Sequence, residues 1–344
     1  LTHDVPDPQA RPGEIDVTAA RHGRCAYRST RRAILSIGRR PLSAAIAAVL
    51  LAGGAAEAQP RGEGPLILRL PSSARTLAMG NAGIASTDGD ALFYNPGMLA
   101  LSRGSAASLQ RYGSHGTAGS MATATTSGSM TIGIGAQFLN YSAPAGADYA
   151  AVVKPGATRL SDSGAVAASS TAFTLGFAKT IKGWRLGANA KYVEDRIGAA
   201  HDGTVAFDIG LNRPLGLGTV GVVVQNLGVG PRIGGVEGTL PRRIGIGFGA
   251  ARAVAAHWDL GAQAALTLEG DLFVRPAGGA EVSYVPIDGV AITVRQGFRL
   301  PRERDESLIT AGLGVSVDRI AVDYAMEPMR AGRPVSHRIG VRVR

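Results

Sequence analysis

The chain has 344 residues, enough for one large or two ordinary domains. Its 48 glycines, 5% aromatic and 18% charged residues exclude both a charge-rich disordered tail and a large aromatic core, and the glycines have no collagen period. The formal net charge is +10, but the basic residues are scattered singly with no interleaved aromatics, so no nucleic-acid partner is expected.

The first element in chain order is a leader. Arg31, Arg32, Arg39 and Arg40 precede the apolar run Pro41–Leu51, and Ala56-Glu57-Ala58 supplies an A-x-A site. These are the three parts of a secretory signal peptide, with cleavage expected before Gln59. The apolar run is about 14 residues, short of the roughly 20 that a helix needs to span a bilayer. Residues 1–58 are thus read as an extension plus signal peptide. The only cysteine, Cys25, lies inside it, so the rest of the chain has no disulfide or Cys-based metal site to expect.

Residues 59–104 precede the strand pattern and contain a short helix around Ala91–Tyr94, which Asn95-Pro96 stops because Pro96 fixes φ and Asn95 bonds nearby backbone. From residue 105 the pattern has period two. Expected strands cover 105–111, 117–127, 129–141, 168–180, 184–197, 203–212, 217–227, 241–252, 257–268, 275–285, 289–299, 307–316, 319–326 and 335–344. In one of them Trp184, Leu186, Ala188, Ala190 and Tyr192 share one face, and Arg185, Gly187, Asn189 and Lys191 share the other. Trp184 and Tyr192 lie about 27 Å apart along such a strand, which suits an apolar band between aromatic girdles. Sandwich strands are mostly 5–6 residues long, whereas membrane strands need about 9–11. Connections alternate between short and long, as on the two rims of an outer-membrane barrel. The expected fold is all-β: a transmembrane antiparallel β-barrel of about 14 strands over 105–344.

Little in the sequence carries chemistry. His115, His201, His257 and His337 fall in separate segments, two of them (His115 and His201) in expected loops, and no Gly-x-Ser-x-Gly elbow is present. No enzyme activity, metal or cofactor is expected. The period-two register turns Arg185, Lys191, Arg243, Arg295, Arg299, Arg338 and Arg342 into the lumen, with Asp208, Asp259, Glu269, Glu281 and Asp323. Two readings stand: a solvated polar lumen with cross-strand ion pairs, or a selective net-basic conduit.

The block Ala74-Arg75-Thr76-Leu77-Ala78-Met79-Gly80-Asn81-Ala82, followed by Asp88-Gly89-Asp90-Ala91-Leu92-Phe93-Tyr94-Asn95-Pro96-Gly97-Met98-Leu99, resembles the N-terminal signature of the PorV/PorQ family, itself similar to FadL-type fatty-acid transporters. The resemblance runs over roughly residues 65–344. Gly97-Met98 stands where the family usually has Ala-Gly. The resemblance makes residues 59–104 a plug-like segment, short and helical, at the periplasmic mouth of the barrel, and marks Met79, Gly80, Ala82, Asp90, Tyr94, Asn95 and Pro96 as its motif. It implies an exported protein of the outer membrane, surrounded by lipid, that works with type IX secretion machinery and secreted cargo. The alternative that it implies is FadL-like transport of a hydrophobic small molecule, which requires an apolar pocket near Leu77–Leu99 and a lateral opening in the wall.

Overall fold

The computed structural model describes residues 64–112, 116–143, 166–233, 235–270, 272–302, 306–329 and 335–344. The leader with its cleavage site, His115 and most of the long connection after residue 141 lie outside the described residues.

Fourteen antiparallel strands close into one barrel. They are β1 (Gly104–Tyr112), β2 (Gly116–Ser127), β3 (Met130–Ala143), β4 (Val166–Ile181), β5 (Trp184–Ile197), β6 (Ala200–Leu215), β7 (Gly218–Gly228), β10 (Arg243–Ala255), β11 (Trp258–Glu269), β12 (Val274–Ile287), β13 (Val290–Arg299), β14 (Ile309–Val317), β15 (Ile320–Glu327) and β16 (Ser336–Val343). A two-stranded hairpin, β8 (Arg232–Ile233) with β9 (Val236–Glu237), decorates the β7–β10 connection. Strand β1 pairs with β16, so the sheet has no free edge.

Connections at one rim are all two residues long: 128–129, 182–183, 216–217, 256–257, 288–289 and 318–319. Lys182 and Gly183 both adopt positive φ, the turn geometry whose twist matches the flanking strands. The opposite rim carries the longer connections. One is shorter than the sequence suggests: Gly198, at φ 59°, turns β5 directly into β6. His201, expected in a loop, therefore lies in β6 opposite Arg196.

The wall obeys the expected alternation. Tyr192 is 47% exposed on the outside while Asn189, three residues earlier, is 2% exposed on the inside. Phe173, Ile209, Leu313 and Val294 likewise face outward. In lipid this arrangement places apolar side chains outside and satisfies every strand's backbone by its neighbours. No lateral opening exists among the described residues: each of the 14 strands is paired on both sides. One interior irregularity interrupts the ladder, between Phe207/Ile209 of β6 and β7, where Gln225 and Asn226 together oppose Asp208.

The lumen is filled by the segment from Gly64 to Ser102. It is not confined to one mouth, as the sequence reading had it, but runs the height of the barrel. Its 3-10 turn Leu66–Leu68 packs on Leu139, Val193 and Leu240 toward the long-loop rim. Helix α1 (Ala74–Ala78), capped by the Ser73 hydroxyl accepting from Thr76 N, leans on β13–β16. Three further 3-10 turns follow, Gly83–Ala85, Gly89–Phe93 and Pro96–Leu101, the last beside β4–β6 toward the short-turn rim.

Candidate functional site

Among the described residues, the plug and its seat concentrate much of the buried polar chemistry. The seat is made of inward-facing glycines. An added Cβ would lie 2.2 Å from Pro96 O at Gly187, 2.0 Å from Asn95 Oδ1 at Gly210, 2.7 Å from Ile84 Cβ at Gly247, and 2.0 Å from Gly80 N at Gly297. Gly133 and Gly176 likewise leave room for Leu99 and Leu92. The glycine count that composition alone read as turns and short strands thus reflects close approach of two backbones.

The plug motif lies together against this seat. Met79, Ala82, Asp90, Asn95 and Pro96 are buried and Tyr94 is half-buried. Gly80 and Asn81 take successive left-handed conformations (φ 72° and 62°), which turns the chain sharply after α1. Gly80 N donates to Thr310 Oγ1 of β14. Tyr94 Oη donates to Asn81 Oδ1 and accepts from Ser72 N, and burial pushes its phenol up to about 12. Asn95 Oδ1 accepts from Gly97 N while its Nδ2 donates to Ile84 O, so one side chain ties two turns together. Gly97 stands so close to β5 and β6 that a Cβ there would lie 3.0 Å from Arg185 O.

Irregular backbone cannot satisfy its own carbonyls, and where it is buried each orphan is costly. The wall supplies the donors. Arg243 donates to Leu68 O, Arg338 to Pro71 O and Gln110 Oε1, Ser108 to Ser72 O, Asn189 to Leu92 O, and Gln225 to Phe93 O. Lys191 pairs with Asp208 at 2.7 Å and donates to Asn226 Oδ1, while Asn226 N donates to Asp208 Oδ1. Arg185 donates to Asn212.

Six further charges form a closed ring that joins plug to wall. Arg75 and Asp88 belong to the plug and pair at 2.5 Å. Arg75 also pairs with Glu281, Glu281 with Arg295 at 2.9 Å, Arg295 with Asp323 at 2.7 Å, Asp323 with Arg342 at 2.6 Å, and Arg342 returns to Asp88 at 2.6 Å. Arg344 adds a second contact to Asp88 at 2.7 Å. Burial alone would raise the Asp88 carboxyl, but Arg75, Arg342 and Arg344 hold it well below the usual carboxylate range. Asp90 has the opposite fate. Burial and the nearby Asp88 charge push it from 3.8 to about 6, and its Oδ1 has no partner.

All twelve charges assigned to the lumen lie on the inward register, but most do not line an open channel. Asp259 alone among them is exposed, at the short-turn rim; most of the others are buried in contacts with the plug or one another. Sequence reasoning named Arg342 but gave no role to Arg75 or Asp88, although both sit inside the quoted motif. A buried apolar patch of Leu92, Phe93 and Leu99 packs on Ala122, Ala124 and Ala178. A polar cavity of about 260 Å³ lies beside the Gly83–Ala85 turn at the short-turn rim, lined by Arg75, Thr87, Gly249, Gln263 and Glu281 among others. Among the described residues no cluster of His, Cys, Asp and Glu is arranged to hold a metal ion.

Neither a protein-family model nor a curated protein sequence matches this chain. Solved structures do. The Pseudomonas putida toluene transporter TodX is similar over 80% of this chain and 97% of its own, with a TM-score of 0.53 at 11% identity. A Pseudomonas aeruginosa FadL homologue matches with a TM-score of 0.52 at 9% identity, over 81% of this chain and 98% of its own. The monoaromatic hydrocarbon channel CymD gives 0.51 at 10% identity, over 82% and 97%. At such identities the likeness is one of fold: this chain shares the 14-stranded barrel architecture of FadL-type outer-membrane proteins.

Proposed function

We propose that this protein is an outer-membrane channel for hydrophobic small molecules, exported with a cleaved leader, in which the Gly64–Ser102 segment is the gate. The observation that carries this reading is a barrel with the architecture of TodX, CymD and a FadL homologue, closed along every described seam and stoppered by its own N-terminal segment. A continuous wall leaves displacement of the plug as the route through the molecule. The turn Gly83–Ala85 is the part to move, because it rests on the backbone of β10 and borders the polar cavity below. Protein secretion, which the PorV/PorQ resemblance implies, draws no support from these relatives, and the long connection where cargo contacts were expected lies outside the described residues.

The test uses a reversible lock. A Cβ built on Gly249 lies 3.1 Å from the Ala85 Cβ, within a few tenths of an ångström of disulfide spacing. In Ala85→Cys/Gly249→Cys, oxidation pins the turn to the wall. Cells expressing the native protein should take up labelled toluene faster than cells without it. The oxidised variant should lose the gain and recover it on reduction. Uptake no faster than in cells without the protein sinks the channel reading. Uptake indifferent to the lock sinks the plug as gate.

A further inference from the structure

The outer face of the short-turn rim carries charge that the molecule does not use. On β4 to β6, Lys179 and Arg213 lie on the outward register, Lys182 sits in the β4–β5 turn, and all three are exposed. Arg213 stacks over the Trp184 ring, 5.0 Å from its centroid. The β5–β6 pairing of Arg185 with Asn212 places Trp184 opposite Arg213, and Lys179 pairs with Leu186 on the adjacent row. None of the three basic groups pairs with a carboxylate among the described residues. Each arginine of the lumen ring, by contrast, has two carboxylate partners.

We propose that this basic and aromatic patch is a docking site for the headgroup of an anionic phospholipid in the leaflet at the short-turn rim. The proposal rests on the transmembrane barrel and not on the solute path. Three features point to a lipid. The patch lies where the apolar band ends: Phe177 and Leu186, 41% and 43% exposed, sit immediately toward the barrel centre and give acyl chains a surface. Lysine stems lie along such a surface while the ammonium reaches the headgroup level. The guanidinium over Trp184, with no carboxylate partner among the described residues, keeps N–H donors for a phosphate, an interaction for which a planar fork is suited. Arg103 and Arg252 are also exposed at this rim, and its exposed acids Asp259, Asp288 and Asp318 belong to other strands and turns than β4–β6.

The purified barrel is reconstituted in phosphatidylcholine bilayers containing spin-labelled phosphatidylglycerol or spin-labelled phosphatidylcholine, and the motionally restricted fraction of each is measured. Phosphatidylglycerol should be favoured by about fivefold per basic side chain, the size expected for a basic group at an anionic membrane surface. The preference should shrink as salt screens the charges. Lys179→Gln/Lys182→Gln/Arg213→Gln should remove most of it with the heat-modifiable barrel intact, and Arg213→Lys should lose part, because a lysine keeps the charge without the fork. Inorganic phosphate at millimolar concentration should not compete; if it does, the site takes free anions and the lipid proposal fails. Equal preference in the native protein and the triple variant also overturns it. Should the triple variant fail to fold, Arg213→Lys decides alone: an unchanged preference counts against the site.

Discussion

Asp90 offers a sharp test of how the plug is held. Its carboxyl is 3% exposed, unpartnered at Oδ1 and raised from 3.8 to about 6. A raised carboxyl favours the seated state only while protonated. Its contribution is full below the free-chain value, is lost as pH climbs from about 4 to 6, and stays lost above. A shift of roughly two units corresponds to about 3 kcal/mol, or on the order of a hundredfold in the equilibrium between seated and released plug. Asp90→Asn keeps the shape and removes the proton. Hydrogen exchange of peptides from residues 74–101, read by mass spectrometry and corrected for intrinsic rates, should show the native plug opening more readily at pH 7 than at pH 4.5. The variant should open equally at both, and at pH 7 less than the native protein. Asp88, held ionised by three arginines, does not titrate in this window and provides the fixed background. A native plug whose opening is flat between pH 4.5 and 7, or a variant that retains the native slope, would refute the argument.

Three further outcomes follow from the same contacts. Arg295→Met takes from the buried Glu281 and Asp323 one of the two arginines that each pairs with, and should cost about 3 kcal/mol in denaturant unfolding, whereas Arg344→Met, whose side chain is 64% exposed, should cost under about 1 kcal/mol. Gly187→Val collides with Pro96 and should raise single-channel conductance in planar bilayers by unseating the plug; Ala188→Val, one residue along and facing lipid, should leave conductance unchanged. N-terminal sequencing of protein extracted from the outer membrane should begin at Gln59, and a chain still carrying Arg39 would contradict the expected cleavage.

The wall was legible in the sequence because lipid imposes a simple rule on it. Trp184, Leu186, Ala188, Ala190 and Tyr192 alternate with polar partners over a length that no sandwich strand needs. The plug was legible only as a motif. Its partners lie far along the chain: Arg75 meets Glu281 at a separation of 206 residues, and Arg342 meets Asp88 at 254. Its seat consists of positions without side chains, and a glycine that makes room for another backbone looks in a sequence like one that makes a turn. The hairpin β8–β9 escaped notice because two-residue strands carry no periodicity. The inward charges were placed on the correct face by register alone. What they do depends on whether the lumen holds water or protein, and period two is silent on that.

The ring of charges has a consequence for how the molecule is made. It runs from Asp88, early among the described residues, to Arg342 in the strand that completes the cylinder against β1. The strand that closes the cylinder therefore finds part of its binding partner in the segment that the wall encloses. A cylinder completed first would present a narrow, glycine-fitted bore to a loose chain that carries buried charges. Stopper and vessel are instead built to be cast together, the closing seam taking its register from what it seals in.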